Sequence, residues 1–145
     1  LMLNSAYVIS LIITTILIRF FGMNTYLLRY HKDDMPQYQF QRLILEDLEA
    51  GVVESTEVFN YGCLDLGLYT VMDQVPGCKF FCDYNIYLEE IEQTQRNYIL
   101  SGGPDYIITR SPLSIGEEQY ELVSTCEFEM EFKNYYQTYY LYRKL

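Results

Sequence analysis

The chain has 145 residues, half of them hydrophobic, and a formal net charge of −10. Size and composition fit one folded domain with its own core and exclude a disordered tail. The acidity excludes nucleic acid as a partner, since phosphate backbones are repelled, and it disfavours broad contact with anionic lipid headgroups.

No charge falls between Leu1 and Ile18. As a helix this stretch measures about 27 Å at about 1.5 Å per residue, close to a hydrocarbon core of roughly 30 Å. The pattern predicts a transmembrane helix with its interfacial exit over residues 1–30, then a soluble domain over residues 31–145. Arg19 would snorkel, and Phe20, Phe21, Tyr26 and Tyr30 suit an aromatic belt. A signal peptide would need a basic start and a small-residue cleavage site, and the stretch has neither. A buried helix of a soluble protein is the remaining alternative. The chain opens on Leu1 with no initiator Met and no charged leader, so we expect it to be the C-terminal part of a longer membrane protein. Arg19, Arg29 and Lys32 favour a cytoplasmic domain by positive-inside counting, a bias that whole domains override. The side of the membrane stays open on sequence physics alone.

Asp33 to Leu145 holds all 20 acidic residues. Pro36 to Ala50 is predicted as a helix capped by Asp33 or Asp34, with Pro36 in its first turn and Gly51 at C′. Phe40, Leu43, Ile44 and Leu48 give it an apolar stripe. Glu57 to Tyr61 reads as a short strand. A glycine-containing turn and a short helix over Asp65 to Asp73 follow, and Pro76-Gly77 then breaks the chain. Lys79 to Cys82 reads as a second buried strand. Asn85 caps the clearest predicted helix, Ile86 to Leu100, with Glu89 and Glu90 at its positive end and Gly102 and Pro104 as its stop. Leu88, Ile91 and Tyr98 would share its buried face. Asp105 to Thr109 is a third strand. This alternation implies a small parallel sheet with right-handed crossovers.

The C-terminal end has a different period. From Tyr120 to Phe132 the even positions are mostly apolar, while Glu121, Glu127, Glu129 and Glu131 fall on odd ones. That is a strand with one wet face. Lys133-Asn134-Tyr135 turns the chain, and Tyr136 to Arg143 returns as its partner. The expected fold is therefore α/β: an N-terminal transmembrane helix, then a small Rossmann-like α/β domain with a C-terminal antiparallel hairpin.

Few residues suit chemistry. The sequence has no nucleophile elbow, no phosphate-binding P-loop and no GxGxxG. Its one histidine, His31, lies at the expected membrane exit, which leaves no basis for a His-dependent triad. Cys63, Cys78, Cys82 and Cys126 lack zinc spacing. A single disulfide of Cys78 with Cys82 or Cys63 is open to the chain if the domain faces outside, and Cys126 reads as core filler. The densest constellation runs from Asn60 to Tyr69, after the first predicted strand, at the edge where open parallel sheets hold ligands. Asn60, Tyr61, Asp65 and Tyr69 are the candidate contacts for a polar ligand such as sugar hydroxyls, with Asp83, Tyr84 and Asn85 extending the rim. Asp65 and Asn85 serve equally as helix caps, and Gly62 and Gly67 as turn glycines. Glu89, Glu90 and Glu92 fit a dipole-matched helix start better than paired catalytic carboxylates. The tyrosines between Tyr135 and Tyr142 fit cross-strand packing better than sugar stacking. No catalytic residue, metal site or cofactor is expected in this chain.

Taken together, the apolar stretch and the segments MPQYQFQRLI, VFNYGCLDLGLYTV, VPGCKFFCDYNI, QTQRNYILSGGPDYIITR and YYLYRKL resemble the C-terminal end of bacterial multi-spanning glycosyltransferases. These are the family 39-like proteins of GT-C architecture, related to protein mannosyltransferases and aminoarabinose transferases. The resemblance implies an enzyme that takes sugar from a polyprenyl-phosphate donor and passes it to an acceptor glycan or protein at the lipid bilayer. It also implies upstream transmembrane helices and an extracytoplasmic C-terminal domain. The catalytic acidic residue of that architecture sits in the first external loop, which this chain does not contain. The chain would then be an accessory domain. A membrane-anchored non-enzymatic binding or sensing module is the alternative, and a Rossmann-like soluble enzyme is weakened by the missing phosphate loop.

Overall fold

A computed structural model describes residues 7–15, 32–64, 66–83, 87–130 and 135–145. The chain divides into two compact units, Leu1–Lys32 and Asp33–Leu145. In the first, a helix (α1) covers residues 7–15. Among the described residues no helix is long and apolar enough to cross a membrane. This overturns the expected transmembrane helix. At about 1.5 Å per residue, the described helical residues 7–15 span less than half of a hydrocarbon core of roughly 30 Å. An uncharged stretch fixes hydropathy, not helix length. Within α1, Thr15 turns its hydroxyl back to the carbonyl of Leu11 at 2.8 Å, a local bond that competes with the helical ladder. The remainder of the expected span lies outside the described residues.

The second unit is a mixed α/β domain. A turn of 3-10 helix, Lys32–Asp34, precedes α2, Pro36–Glu49. The N-cap of α2 is Met35, in extended conformation and without a side-chain cap bond, so neither Asp33 nor Asp34 caps it. Pro36 serves its first turn, where a missing N–H costs nothing. At the other end Gly51 takes φ 69°, and the Val52 N–H donates to the Asp47 carbonyl at 2.9 Å to close the helix. Phe40 and Ile44 are fully buried, whereas Leu48 at the end of the predicted stripe is exposed.

The remaining elements are β1 (Val58–Asn60), α3 (Leu68–Val71), α4 (Glu89–Leu100), β2 (Tyr106–Thr109), β3 (Tyr120–Met130) and β4 (Tyr135–Lys144). The sheet order is β1-β2-β4-β3. Only β1 and β2 are parallel, and β4 runs antiparallel to both β2 and β3. The expected Rossmann-like sheet is therefore corrected to a four-stranded mixed sheet. Residues 79–82 form no strand. The reason lies in one side chain. The Tyr69 hydroxyl accepts from the Asn60 N–H at 3.3 Å and donates to the Phe81 carbonyl at 2.8 Å, so a phenol stands between β1 and the segment that would have paired with it. Gln95 of α4 holds the same segment by donating to the carbonyls of Phe80 at 3.0 Å and Cys82 at 2.9 Å.

Helix α4 starts at Glu89 with Leu88 as N-cap, later than predicted, and the expected cap Asn85 lies outside the described residues. Its buried residues are Gln95 and Ile99, while Leu88 stays exposed. The sheet has a core on each face. Phe40, Ile44, Leu68 and Tyr69 of α2 and α3 pack with Val58, Tyr106, Ile108, Cys126, Tyr139 and Leu141 on one side. Ile99 of α4, with Leu113 and Ile115, packs with Phe59, Ile107, Tyr120 and Tyr142 on the other. The hairpin pairs from Tyr120↔Lys144 to Met130↔Tyr135, with a register shift between Leu122 and Ser124. That shift changes which face the even positions serve. Tyr120 joins the α4 side and Cys126 the α2 side, so one unbroken period of two does not describe β3.

Candidate functional site

The candidate site is the end of the parallel pair where β1 and β2 leave the sheet, the edge at which such pairs hold ligands. Asn60 ends β1 and is buried, at 1% exposure. Tyr69 is 6% exposed, and its ring meets Phe81 edge-to-face with centroids 5.6 Å apart. Asn60 and Tyr69 are thus brought together, in a brace that faces the core. Tyr61 is half-buried and continues the ladder, its N–H donating to the Ile108 carbonyl at 2.9 Å while its ring stacks on Phe59. Gly62 and Gly67 hold φ 64° and 78°, backbone states that L side chains resist. Asp65 and Asn85 lie outside the described residues.

Two neighbouring features went unread in the sequence. The first is Arg110, which follows β2 at the same edge. Its guanidinium carbon stands 5.9 Å from the Tyr139 ring centroid, a cation–π contact that holds it in place. Its Nε is shielded from solvent and has no hydrogen-bond acceptor. Among the described residues, the ion pairs engage Lys79 and Arg143 and leave Arg110 out. A cation directly after a predicted strand in an acidic domain was the available signal. The second is an open groove of about 620 Å³ beside the brace, lined by Tyr69, Pro76, Gly77, Cys78, Lys79 and Phe81. Burial pushes the Cys78 thiol up, which keeps it protonated and a poor nucleophile. Lys79 pairs with Glu90 at 3.1 Å, both well exposed.

Beside Gly77 of the groove, the Tyr98 hydroxyl bonds to Glu57. A Cβ on Gly77 would collide with both groups and force them to shift. Burial first, and then the Glu57 carboxylate, raise the Tyr98 hydroxyl far above its ordinary range, so it donates and does not ionise. Glu57 is thereby a bonded structural carboxylate and a poor candidate for a base. Among the described residues, no cluster of His, Cys, Asp and Glu is placed to hold a metal ion.

No family model, no curated protein and no solved structure matches this chain.

Proposed function

We propose that residues 33–145 form a ligand-binding accessory domain of a membrane glycosyltransferase that uses a polyprenyl-phosphate-linked sugar, with the transfer chemistry carried by residues outside this chain. The observation that carries the binding reading is Arg110: a guanidinium fixed on Tyr139 at the ligand-prone sheet edge, with an N–H that lacks an acceptor. An unpaired buried donor costs on the order of 1–3 kcal/mol, and more when charged, so an oxyanion reaching this group relieves a standing cost. Guanidinium matches phosphate and carboxylate oxygens in pairs, which suits a sugar phosphate or an acidic glycan. The groove beside Tyr69 has room for a sugar ring. Asn60 and Tyr69 support the wall in this reading, and Arg110 makes the contact. The glycosyltransferase assignment draws on the segments from MPQYQFQRLI to YYLYRKL, which also favour an extracytoplasmic placement.

The test is a titration of the 145-residue chain with glucose 1-phosphate and with inorganic phosphate, read by thermal unfolding. At about 100 times Kd, binding to the folded state adds about 2.7 kcal/mol. Arg110→Gln is expected to abolish that gain and to lower sugar transfer by the full-length enzyme. Binding without any transfer defect would favour the sensing-module alternative. No stabilisation by either ligand would remove Arg110 as the contact.

A further inference from the structure

The four cysteines are all buried. Two of them are drawn together by the backbone. The Asp83 N–H donates to the Cys63 carbonyl at 2.7 Å, tying the residue after Cys82 to the loop that leaves β1. Standard backbone geometry puts a carbonyl oxygen, or the next residue's nitrogen, about 2.4 Å from a Cα, so the two Cα atoms lie at most about 7.5 Å apart. A disulfide spans Cα separations of roughly 4.4 to 6.8 Å. Cys63 is fully buried, with its thiol 3.7 Å from the Ile108 carbonyl, and Cys82 is 8% exposed on the adjacent backbone.

Pairings of Cys63 with the other two cysteines fit less well. Cys126 belongs to β3, three strands from β1 in the sheet order, and strands lie about 4.8 Å apart. Cys78 packs in the core on the α4 side, whereas Cys63 packs in the core on the α2 side.

We propose that Cys63 and Cys82 are a disulfide site, closed when the folding chain meets a thiol–disulfide oxidant such as oxidised glutathione. One cysteine, as thiolate, attacks the oxidant's disulfide and forms a mixed disulfide, releasing one oxidant thiol. The second thiolate attacks the protein sulfur of that bond and releases the other oxidant thiol. Two S–H bonds are lost and one S–S bond forms, while the oxidant takes up two electrons and two protons. Because both sulfurs are buried, the exchange occurs during folding or local opening. The bridge encloses α3 and locks covalently the segment that Tyr69 holds to β1 by hydrogen bonds. This inference stands on backbone proximity and does not depend on the glycosyltransferase reading.

The experiment is to refold the 145-residue chain in a glutathione redox buffer, alkylate remaining thiols and map peptides without reduction. The expected result is one cross-link joining the Cys63 and Cys82 peptides, with Cys78 and Cys126 alkylated and a Tm that falls on reduction. Cys78→Ala is expected to leave the cross-link intact. Alkylation of all four cysteines, or a Cys78–Cys82 cross-link in its place, would overturn the proposal.

Discussion

Tyr69 occupies a position where one oxygen serves two backbone segments. Its hydroxyl accepts from the Asn60 N–H and donates to the Phe81 carbonyl. Tyr69→Phe keeps the ring and removes both bonds, leaving a buried donor and a carbonyl without their partner. The expected cost is about 1–3 kcal/mol, measured by urea denaturation. Phosphate binding through Arg110 should survive the change, because the hydroxyl braces the wall and makes no ligand contact in our reading. An unchanged denaturation midpoint would show that the two bonds contribute nothing net. At this scale the sequence singled out Asn60 and Tyr69 and left their roles open. Asn60 and Tyr69 stood out by position after a strand, but burial, which decides between contact and brace, is a tertiary property. Arg110 was hidden for the same reason, since nothing local shows that Tyr139 lies under it.

At the scale of elements, α2 is coupled to the sheet by charge as well as by Phe40 and Ile44. Arg143 of β4 pairs with Asp47 at 2.9 Å and also with Glu121 of β3, and the Tyr106 hydroxyl donates to the same Asp47 oxygen at 2.8 Å. Asp47 is four-fifths buried and Glu121 about half-exposed. Asp47→Ala is therefore expected to cost about 1–3 kcal/mol, since it takes the acceptor from the buried Tyr106 phenol and from one arm of the Arg143 guanidinium, which keeps Glu121. Glu121→Ala should cost at most about 1 kcal/mol, as exposed pairs do. Equal losses in chemical denaturation would show that burial does not separate the two carboxylates. The hairpin was legible because polar and apolar residues alternate along both arms, a signal carried within each strand. The parallel sheet was over-read because residues 79–82 have strand composition, and composition does not reveal a tyrosine hydroxyl in the place of a ladder bond. The register shift at Leu122 was invisible for a related reason: one extra residue changes no local preference but exchanges the faces served.

Across the whole molecule, three tyrosines, Tyr106 and Tyr120 buried and Tyr98 half-buried, set an alkaline limit on stability. Desolvation first, and then the charges of Asp105 and Glu57, push Tyr120 up from 10.0 to about 12. Tyr98 and Tyr106 move in the same direction, each mainly by desolvation and then by a bonded carboxylate, Glu57 and Asp47 respectively. A group whose proton is held more tightly in the folded state adds stability that is whole below its unfolded pKa. That stability is lost as pH rises through the folded one. Unfolding free energy should therefore be steady up to about pH 10 and fall steeply from there to about pH 12. Tyr120→Phe should flatten part of that fall in urea titrations run at stepped pH. In the sequence, an uncharged stretch precedes all the acidic residues. The expected transmembrane helix is not found, since no helix among the described residues is long and apolar enough to cross a membrane.

The capped edge of β1 also governs how copies of this domain can meet. Gln74 and Tyr69 already occupy the outward N–H groups of Val58 and Asn60, so no incoming strand can dock there. Among the described residues, β3 is the other edge strand of the sheet. Strand exchange between two copies would have to join like to like, β3 against β3, and that union uses up the open margin of each. A head-to-tail array has no second socket to grow from, so the sheet resists fibrous polymerisation even though it keeps one strand exposed.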